Sequence, residues 1–151
     1  MNDRSAGSIG RLWKTLNVTT PPTGSLHHIE VWVPDLDRAK QEWGWILPRL
    51  GYSTYQSWDS GISWRLGQTY IVAEQSPALS GRKHERTAPG LNHLAFHAGS
   101  QKEVDALVVD SARHGWMQLF QDMYPHAGGP GHYAAYLFNS DGFEIELVAA
   151  R

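Results

Sequence analysis

A chain of 151 residues with a net charge of −2 is long enough to form one globular domain with a sizeable core. Its Lys and Arg residues form no long run, which argues against nucleic-acid or anionic-membrane binding, and no apolar run is long enough to span a membrane. The absence of cysteine excludes disulfides and thiolate metal ligands. We expect a cytoplasmic protein whose partner is a small molecule.

Residues 1–24 are predicted to be a leader that precedes the folded domain. They are polar at first, and they end in a Thr-Thr-Pro-Pro-Thr-Gly stretch typical of a linker. They contain no apolar segment of the kind found in secretory signals. The domain is expected to occupy residues 25–149, with a first module at 25–76, a linker at 77–89 and a second module at 90–149.

The first module begins with an alternating strand at 26–33, which Pro34 should end. Asp35 can then cap a helix over 36–50, whose apolar residues recur on one face. Pro48 is expected to distort the last turn of that helix because it lacks a backbone N–H. Three short strands should follow, near 52–57, 63–66 and 69–74.

The second module repeats this order of elements. A strand at 91–98 is followed by a helix over 101–114. The Gly- and Pro-rich stretch 124–131 is predicted to be a loop. Strand, helix and three strands thus occur twice, which predicts an α+β fold of two tandem βαβββ modules. The three closing strands of this module are expected near 117–121, 132–138 and 143–149.

A histidine occupies the same position in the two opening strands, as His28 and His93. Strand side chains alternate between two faces, and the apolar residues of these strands should face the helices. The histidines must therefore lie on the opposite face. The alternation places further polar or aromatic residues on that face, namely Glu30, Trp32, His97, Glu144 and Glu146.

This face is too polar to be a dry core, so a concave cavity is predicted, with Trp32, Glu30, His97 and Glu144 as candidate lining residues of a substrate pocket. Two histidines and a carboxylate on three strands favour a divalent metal, because buried imidazoles and carboxylates are costly unless paired. Three protein ligands would leave coordination positions open for substrate. The alternative is that the histidines are simply hydrogen-bonded in a hydrated barrel.

Three segments carry a resemblance to a known family: 26–36 (LHHIEVWVPDL), 90–96 (GLNHLAF) and 136–147 (YLFNSDGFEIEL). Over residues 25–149 the chain resembles the vicinal oxygen chelate superfamily, which includes glyoxalase I, fosfomycin-resistance proteins, extradiol dioxygenases and bleomycin-binding proteins. The resemblance implies a curved, barrel-like mixed sheet with the helices outside. It also implies a metal cavity inside the sheet and, usually, a homodimer.

The resemblance assigns roles to individual residues. His28 and His93 match the metal histidines of the two opening strands, and Glu146 matches the metal glutamate of the last strand. Tyr136 matches a tyrosine that contacts substrate beside the metal in the fosfomycin-resistance and extradiol enzymes. Tyr136 is therefore a candidate catalytic residue.

Two further assignments stay open. Glyoxalase I enzymes place a fourth ligand where this chain has Val72, so Glu74 is a candidate fourth ligand only if its strand slips by two residues. His132 and His126, in or beside the Gly-rich loop, are candidates for an acid/base residue, since extradiol enzymes carry a histidine in this vicinity. The other interpretation of both is a solvent-facing loop histidine.

The expected function is that of a metal-dependent enzyme whose divalent cation, Fe, Mn, Ni or Zn, chelates two oxygens of a small substrate that could be aromatic. Lyase, transferase and extradiol-type dioxygenase chemistry are all compatible with this ligand set. The alternative is a non-catalytic protein that binds an aromatic drug or metabolite. A third interpretation is a degenerate structural member of the superfamily.

Overall fold

A computed structural model of the chain describes residues 20–151. Most of the predicted leader lies outside these residues, and its described part, 20–24, is exposed. Within the described part, two modules of strand, helix and three strands follow one another, as predicted. None of the helices in that part is long and apolar enough to cross a membrane.

The first module is a four-stranded mixed sheet with one helix packed on it. Its elements are β1 (His28–Trp32), α1 (Leu36–Arg49), β2 (Ser53–Trp58), β3 (Gly61–Leu66) and β4 (Thr69–Glu74). β1 pairs in parallel with β4, and β2, β3 and β4 pair antiparallel, so the strand order is β1-β4-β3-β2. The predicted elements are confirmed with small shifts of their ends.

The second module has the same plan. Its elements are β5 (His93–His97), α2 (Gln101–Ser111), β6 (Trp116–Leu119), β7 (Ala134–Asn139) and β8 (Glu144–Val148), with strand order β5-β8-β7-β6. The predicted helix over 101–114 is too long, because α2 ends at Ser111 and a 3₁₀ turn covers Ala112–His114. The first of the three closing strands, predicted near 117–121, is shorter than expected and is followed by a 3₁₀ turn at Gln121–Met123.

Helix α1 begins and ends as its sequence indicates. The Oδ1 of Asp35 accepts the backbone N–H of Arg38 at 2.9 Å, which confirms the predicted cap. Pro48 lies in the last turn, and the helix ends one residue later. The N–H of Leu50 is shared between the carbonyls of Ile46 and Leu47, both at 3.1 Å, so the last turn is tightened.

The two modules dock through α1. The rings of Trp43 on α1 and Trp116 on β6 meet edge to face at 5.1 Å, and both side chains are buried. The indole Nε1 of Trp116 donates to the backbone carbonyl of Glu42 at 2.9 Å. The two sheets remain separate within residues 20–151, so the expected barrel-like sheet consists of two sheets rather than one closed barrel.

The predicted alternation of faces is confirmed. Val31 and Val33 of the first opening strand are buried on the helix side, whereas His28 on the opposite, open face is exposed. Two carboxylates on the open face of the second sheet are nevertheless buried, since Glu144 is 3% and Glu146 is 6% exposed. Buried carboxylates need partners, and those partners define the candidate site described below.

Glu42 is a buried carboxylate at the module junction, 4% exposed. Burial raises its pKa, hydrogen bonding with Ser140 lowers it, the nearby charge of Asp141 raises it, and the net pKa lies above the ordinary glutamate value. The contribution of Glu42 to stability is therefore complete below that ordinary value and is lost as the pH rises through the raised pKa.

We expect the glutamine variant Glu42→Gln to gain stability over the wild type as the pH rises. Urea unfolding at about pH 4.5 and about pH 8 should show a larger advantage of the variant at the higher pH. Asp37→Asn is the matched control, because Asp37 lies on the same helix with its side chain 90% exposed. An equal advantage of Glu42→Gln at both pH values would contradict this account.

Candidate active site

The centre of the candidate site is Glu146 on β8, whose side chain is only 8% exposed. The ladder places Glu146 between Ala95 of β5 and Tyr136 of β7. Its Oε2 lies 3.3 Å from Nε2 of His93, and its Oε1 lies 2.6 Å from Nε2 of His132. The structure thus brings together four residues that the sequence proposed separately.

A chain of hydrogen bonds orients the imidazole of His93. The Nδ2 of Asn92 donates to the carbonyl of Arg86 at 2.9 Å, so the Oδ1 of Asn92 faces His93. That oxygen only accepts, so Nδ1 of His93, 2.7 Å away, donates to it. In a neutral imidazole the lone pair of Nε2 then points at the carboxylate of Glu146. Two electron-pair donors that face each other fit a shared cation.

Glu146 is ionised despite its burial. Burial alone would raise its pKa, but hydrogen bonding with His132 and Tyr136, together with the charge of His132, holds the pKa below the ordinary glutamate value. An ionised carboxylate is the form that binds a cation or accepts a proton. The site therefore holds a ready negative charge at neutral pH.

Tyr136 lies directly beside this carboxylate. Its ring meets the ring of His93 edge to face at 5.9 Å. Burial raises the pKa of Tyr136 to about 12, and hydrogen bonding to Glu146 acts in the same direction. The phenol therefore keeps its proton at neutral pH and is available as a hydrogen-bond or proton donor.

The backbone of the loop between β6 and β7 approaches the site closely at Gly128. A Cβ at this position would lie 2.8 Å from the hydroxyl of Tyr136 and 2.5 Å from Cδ2 of His132. Only a glycine fits this close approach of the loop backbone to the two side chains. The backbone of the Gly-rich loop thus packs directly on His132, which contacts Glu146, and on Tyr136.

A cavity of about 190 Å³ opens beside His93 and Tyr136. Its charged wall is formed by Arg86 and Glu144, whose Nη1 and Oε2 atoms lie 2.8 Å apart. Its apolar wall includes Phe120, whose backbone has a left-handed φ of 53°. Such strain in a non-glycine residue is typical of functional sites.

His28 lies in the other sheet, away from these contacts. Its Nδ1 is 2.9 Å from Nδ1 of His27, and its ring stacks on that of Tyr70 at 4.9 Å. Tyr55 and Arg65 continue this exposed aromatic layer, with the Tyr55 ring 5.5 Å from Tyr70 and the Arg65 guanidinium 4.9 Å from Tyr55. Within the described chain, His28 is therefore not joined to the Glu146 cluster.

Two predicted pocket residues line a different cavity. Glu30 and Trp32 border a space of about 430 Å³ between β1 and the inter-module linker. The Nε1 of Trp32 donates to Oε1 of Glu30 at 2.8 Å. Of the predicted pocket residues, Glu144 borders the cavity beside Glu146, whereas His97 is exposed at the end of β5.

The ladder register also locates Glu74. In the first module Val72 pairs with Glu30, and in the second Glu146 pairs with Ala95, so Val72 occupies the position equivalent to Glu146. Glu74 lies opposite Trp32 at the end of β4, and this register has no slip of two residues.

His126 is placed beside the loop rather than on Glu146. Its Nδ1 lies 3.3 Å from the carbonyl of His132, and its ring meets Tyr133 edge to face at 5.9 Å. Of the two candidate acid/base histidines, His132 is the one in contact with Glu146.

The donor set fits a metal only in part. Within residues 20–151, no group of three or more His, Asp, Glu or Cys side chains is arranged to hold a metal ion. The imidazole of His93 and the carboxylate of Glu146 are nevertheless donors suited to several divalent metals, and Asn92 orients the imidazole as ligating histidines are commonly oriented. Catalytic zinc sites commonly have three protein ligands, so one more donor would complete such a site.

Arg86 and Phe120 could not be assigned to the site from the sequence. Arg86 belongs to a linker without hydrophobic periodicity, and Phe120 follows a strand with no glycine to signal its left-handed backbone. The position of Asn92 directly before His93 in the predicted opening strand was a weak indication that it belongs to the site.

Comparison with known proteins agrees with this fold. The family model of the Glyoxalase/Bleomycin resistance protein/Dioxygenase superfamily matches residues 27–136. The uncharacterised protein YqjT of Bacillus subtilis (strain 168) is 45% identical over 126 residues, which cover 82% of this chain and 98% of that protein.

Solved structures show the same relationship. A glyoxalase candidate from Bacillus halodurans is 40% identical with a TM-score of 0.80, covering 85% of this chain and 97% of that chain. Lactoylglutathione lyase from Agrobacterium tumefaciens shares the fold at 17% identity, with a TM-score of 0.54 and coverage of 87% and 96%. The chain therefore belongs to the Glyoxalase/Bleomycin resistance protein/Dioxygenase superfamily.

Proposed function

We propose that the protein is a divalent-metal-dependent enzyme acting on a small oxygen-bearing molecule. The observation that carries the proposal is the pair formed by Nε2 of His93 and Oε2 of Glu146, 3.3 Å apart. The hydrogen bond from Nδ1 of His93 to Asn92 turns the free lone pair of Nε2 towards the carboxylate. A cation between these atoms would satisfy both.

We further propose that His28 of a second copy of the chain completes the donor set in a homodimer. The open face around His28 carries exposed aromatic rings, with Trp32 43% and Tyr55 45% exposed. Large exposed apolar groups gathered on one sheet face are typical of an interface. Covering this face with the second sheet of another copy would bring His28 towards His93 and Glu146 and would bury both open faces.

A bound metal would polarise a substrate oxygen and stabilise negative charge that develops on it. The residues of the chain supply the proton transfers and the orientation. Tyr136 holds a proton on its hydroxyl and can donate it to a substrate oxygen in the cavity. His132, hydrogen-bonded through Nε2 to Glu146, can accept a proton at Nδ1, and the adjacent carboxylate would stabilise the positive charge that results.

The Bacillus halodurans protein is described as a glyoxalase candidate, which supports lyase chemistry of the glyoxalase type. Val72, at the position of the fourth ligand of glyoxalase I enzymes, instead supports a site with three ligands. A cavity of about 190 Å³ is small for a drug-sized ligand. This size supports a small metabolite over the alternative of drug binding.

Elemental analysis of the protein purified without chelator tests the proposal. We expect about one Fe, Mn, Ni or Zn ion per chain, because each chain supplies one set of donors. A protein that contains no metal, and that binds none of these ions when they are added, would contradict the proposed enzyme and favour a binding protein.

Replacing Tyr136 by phenylalanine removes the proton donor and keeps the ring. We expect Tyr136→Phe to retain its metal content while turnover falls by about a hundredfold or more, the usual effect of losing a general acid. Metal analysis and kinetics with 2-oxoaldehyde hemithioacetals, the substrates of glyoxalase-type lyases, would measure both effects. A variant with unchanged turnover would remove Tyr136 from the chemistry.

A further inference from the structure

An arginine from the inter-module linker reaches the same cavity as Tyr136 and His93. Nη1 of Arg86 lies 2.8 Å from Oε2 of Glu144, whose side chain is 2% exposed. The backbone carbonyl of Arg86 also accepts the hydrogen bond from Asn92. The linker is therefore tied at this point to the strand that carries His93.

The guanidinium of Arg86 has donors to spare. Glu144 is the only carboxylate within ion-pair distance of Arg86 among residues 20–151, and that contact uses one terminal nitrogen. A guanidinium carries five N–H donors in a planar fork, which matches the two oxygens of a carboxylate. The side chain of Arg86 is 28% exposed, so part of it faces the cavity.

An apolar surface adjoins this cation. The guanidinium carbon of Arg86 lies 6.0 Å from the ring centre of Phe120, and Phe120 meets Tyr136 edge to face at 5.5 Å. Phe120 is 39% and Met123 54% exposed, and both border the cavity. A charged donor and exposed apolar side chains thus border the same small space.

We propose that this site binds a small planar carboxylate, whose carboxylate group pairs with Arg86 and whose apolar body packs on Phe120. A dianion such as a phosphate monoester is disfavoured, because Glu144 and Glu146 place two carboxylates at or beside the cavity. The proposal rests on the proposed function only in one respect, namely that the bound carboxylate would be the substrate of the enzyme. Recognition by Arg86 itself requires no metal.

Benzoate and its neutral isostere benzamide are suitable probes. Isothermal titration calorimetry on the full chain, once with chelator and once with added metal, should show benzoate binding about tenfold or more tightly than benzamide. Arg86→Met should abolish this preference. Arg82→Met is the matched control, because Arg82 belongs to the same linker but borders the other cavity, and it should keep the preference.

Arg86→Met leaves Glu144 buried without a partner, so the double variant Arg86→Met/Glu144→Gln removes both charges and guards against misfolding. It too should bind the two probes equally. Equal or absent binding of the probes by the wild type, or a preserved benzoate preference in the folded double variant, would overturn the proposal. A wild-type protein that binds no metal but still prefers benzoate to benzamide would overturn the proposed function alone.

Discussion

Replacing His93 by alanine should abolish stoichiometric binding of a divalent cation. The change removes Nε2, the nitrogen that faces the carboxylate of Glu146, and leaves Oε2 of that carboxylate without its imidazole neighbour. Changes to residues that merely support a metal ligand cost about 10–100-fold in affinity, so loss of a direct ligand should cost at least about a hundredfold. Calorimetric titration with Zn or Mn, followed by elemental analysis, measures the loss.

His97→Ala is the matched control for this variant. His97 lies on the same strand and the same face, four residues further along, and is exposed. We expect the His97→Ala protein to bind metal as the wild type does. If His93→Ala keeps wild-type occupancy and affinity, the assignment of His93 as a ligand is wrong.

Mixing two inactive variants should restore metal binding if the site is shared between chains. His28→Ala removes the donor contributed by the first sheet, and His93→Ala removes a donor contributed by the second. In a mixed dimer both changes would fall in one of the two shared sites, and the other site would be intact. Random exchange of subunits in an equal mixture would restore about one quarter of the sites. The readout is metal content of the refolded mixture compared with each variant refolded alone.

Two measurements decide between a shared and a single-chain site. Sedimentation equilibrium at micromolar concentration should give a dimer, and a species of 16.9 kDa would exclude the shared site. If the mixture recovers no metal and His132→Ala also loses it, the site would instead be formed within one chain, since His132 also contacts Glu146.

Much of the fold could be predicted because it depends on local patterns. Alternation of apolar and polar residues located β1 and β5 and the face that carries His28 and His93. The cap that Asp35 forms at the start of α1 and the Asn139–Gly142 turn before β8 depend on hydrogen bonds between residues only three positions apart. The resemblance placed both Tyr136 and Glu146 at the site, and the structure pairs them across the ladder.

The rest depends on contacts between distant segments. The sequence could not show that the open faces belong to two separate sheets, because sheet closure depends on how the modules dock through Trp43 and Trp116. Nor could it show that the linker folds back to place Arg86 in the cavity. The same reason explains why Trp32 and Glu30 line another cavity than the one beside Glu146.

The register of the two ladders bears on how such a protein diverges. Two halves with the same order of elements are what duplication of a single gene segment leaves behind, yet one copy carries a valine, Val72, where the other carries Glu146. In the copy with the carboxylate, His93, His132 and Tyr136 all surround Glu146. The open face of the other copy has aromatic contacts among His28, Tyr70 and Tyr55 but no carboxylate at the equivalent position. Substitutions on that face other than at His28 should therefore alter which molecule is accepted and leave the Glu146 cluster in place.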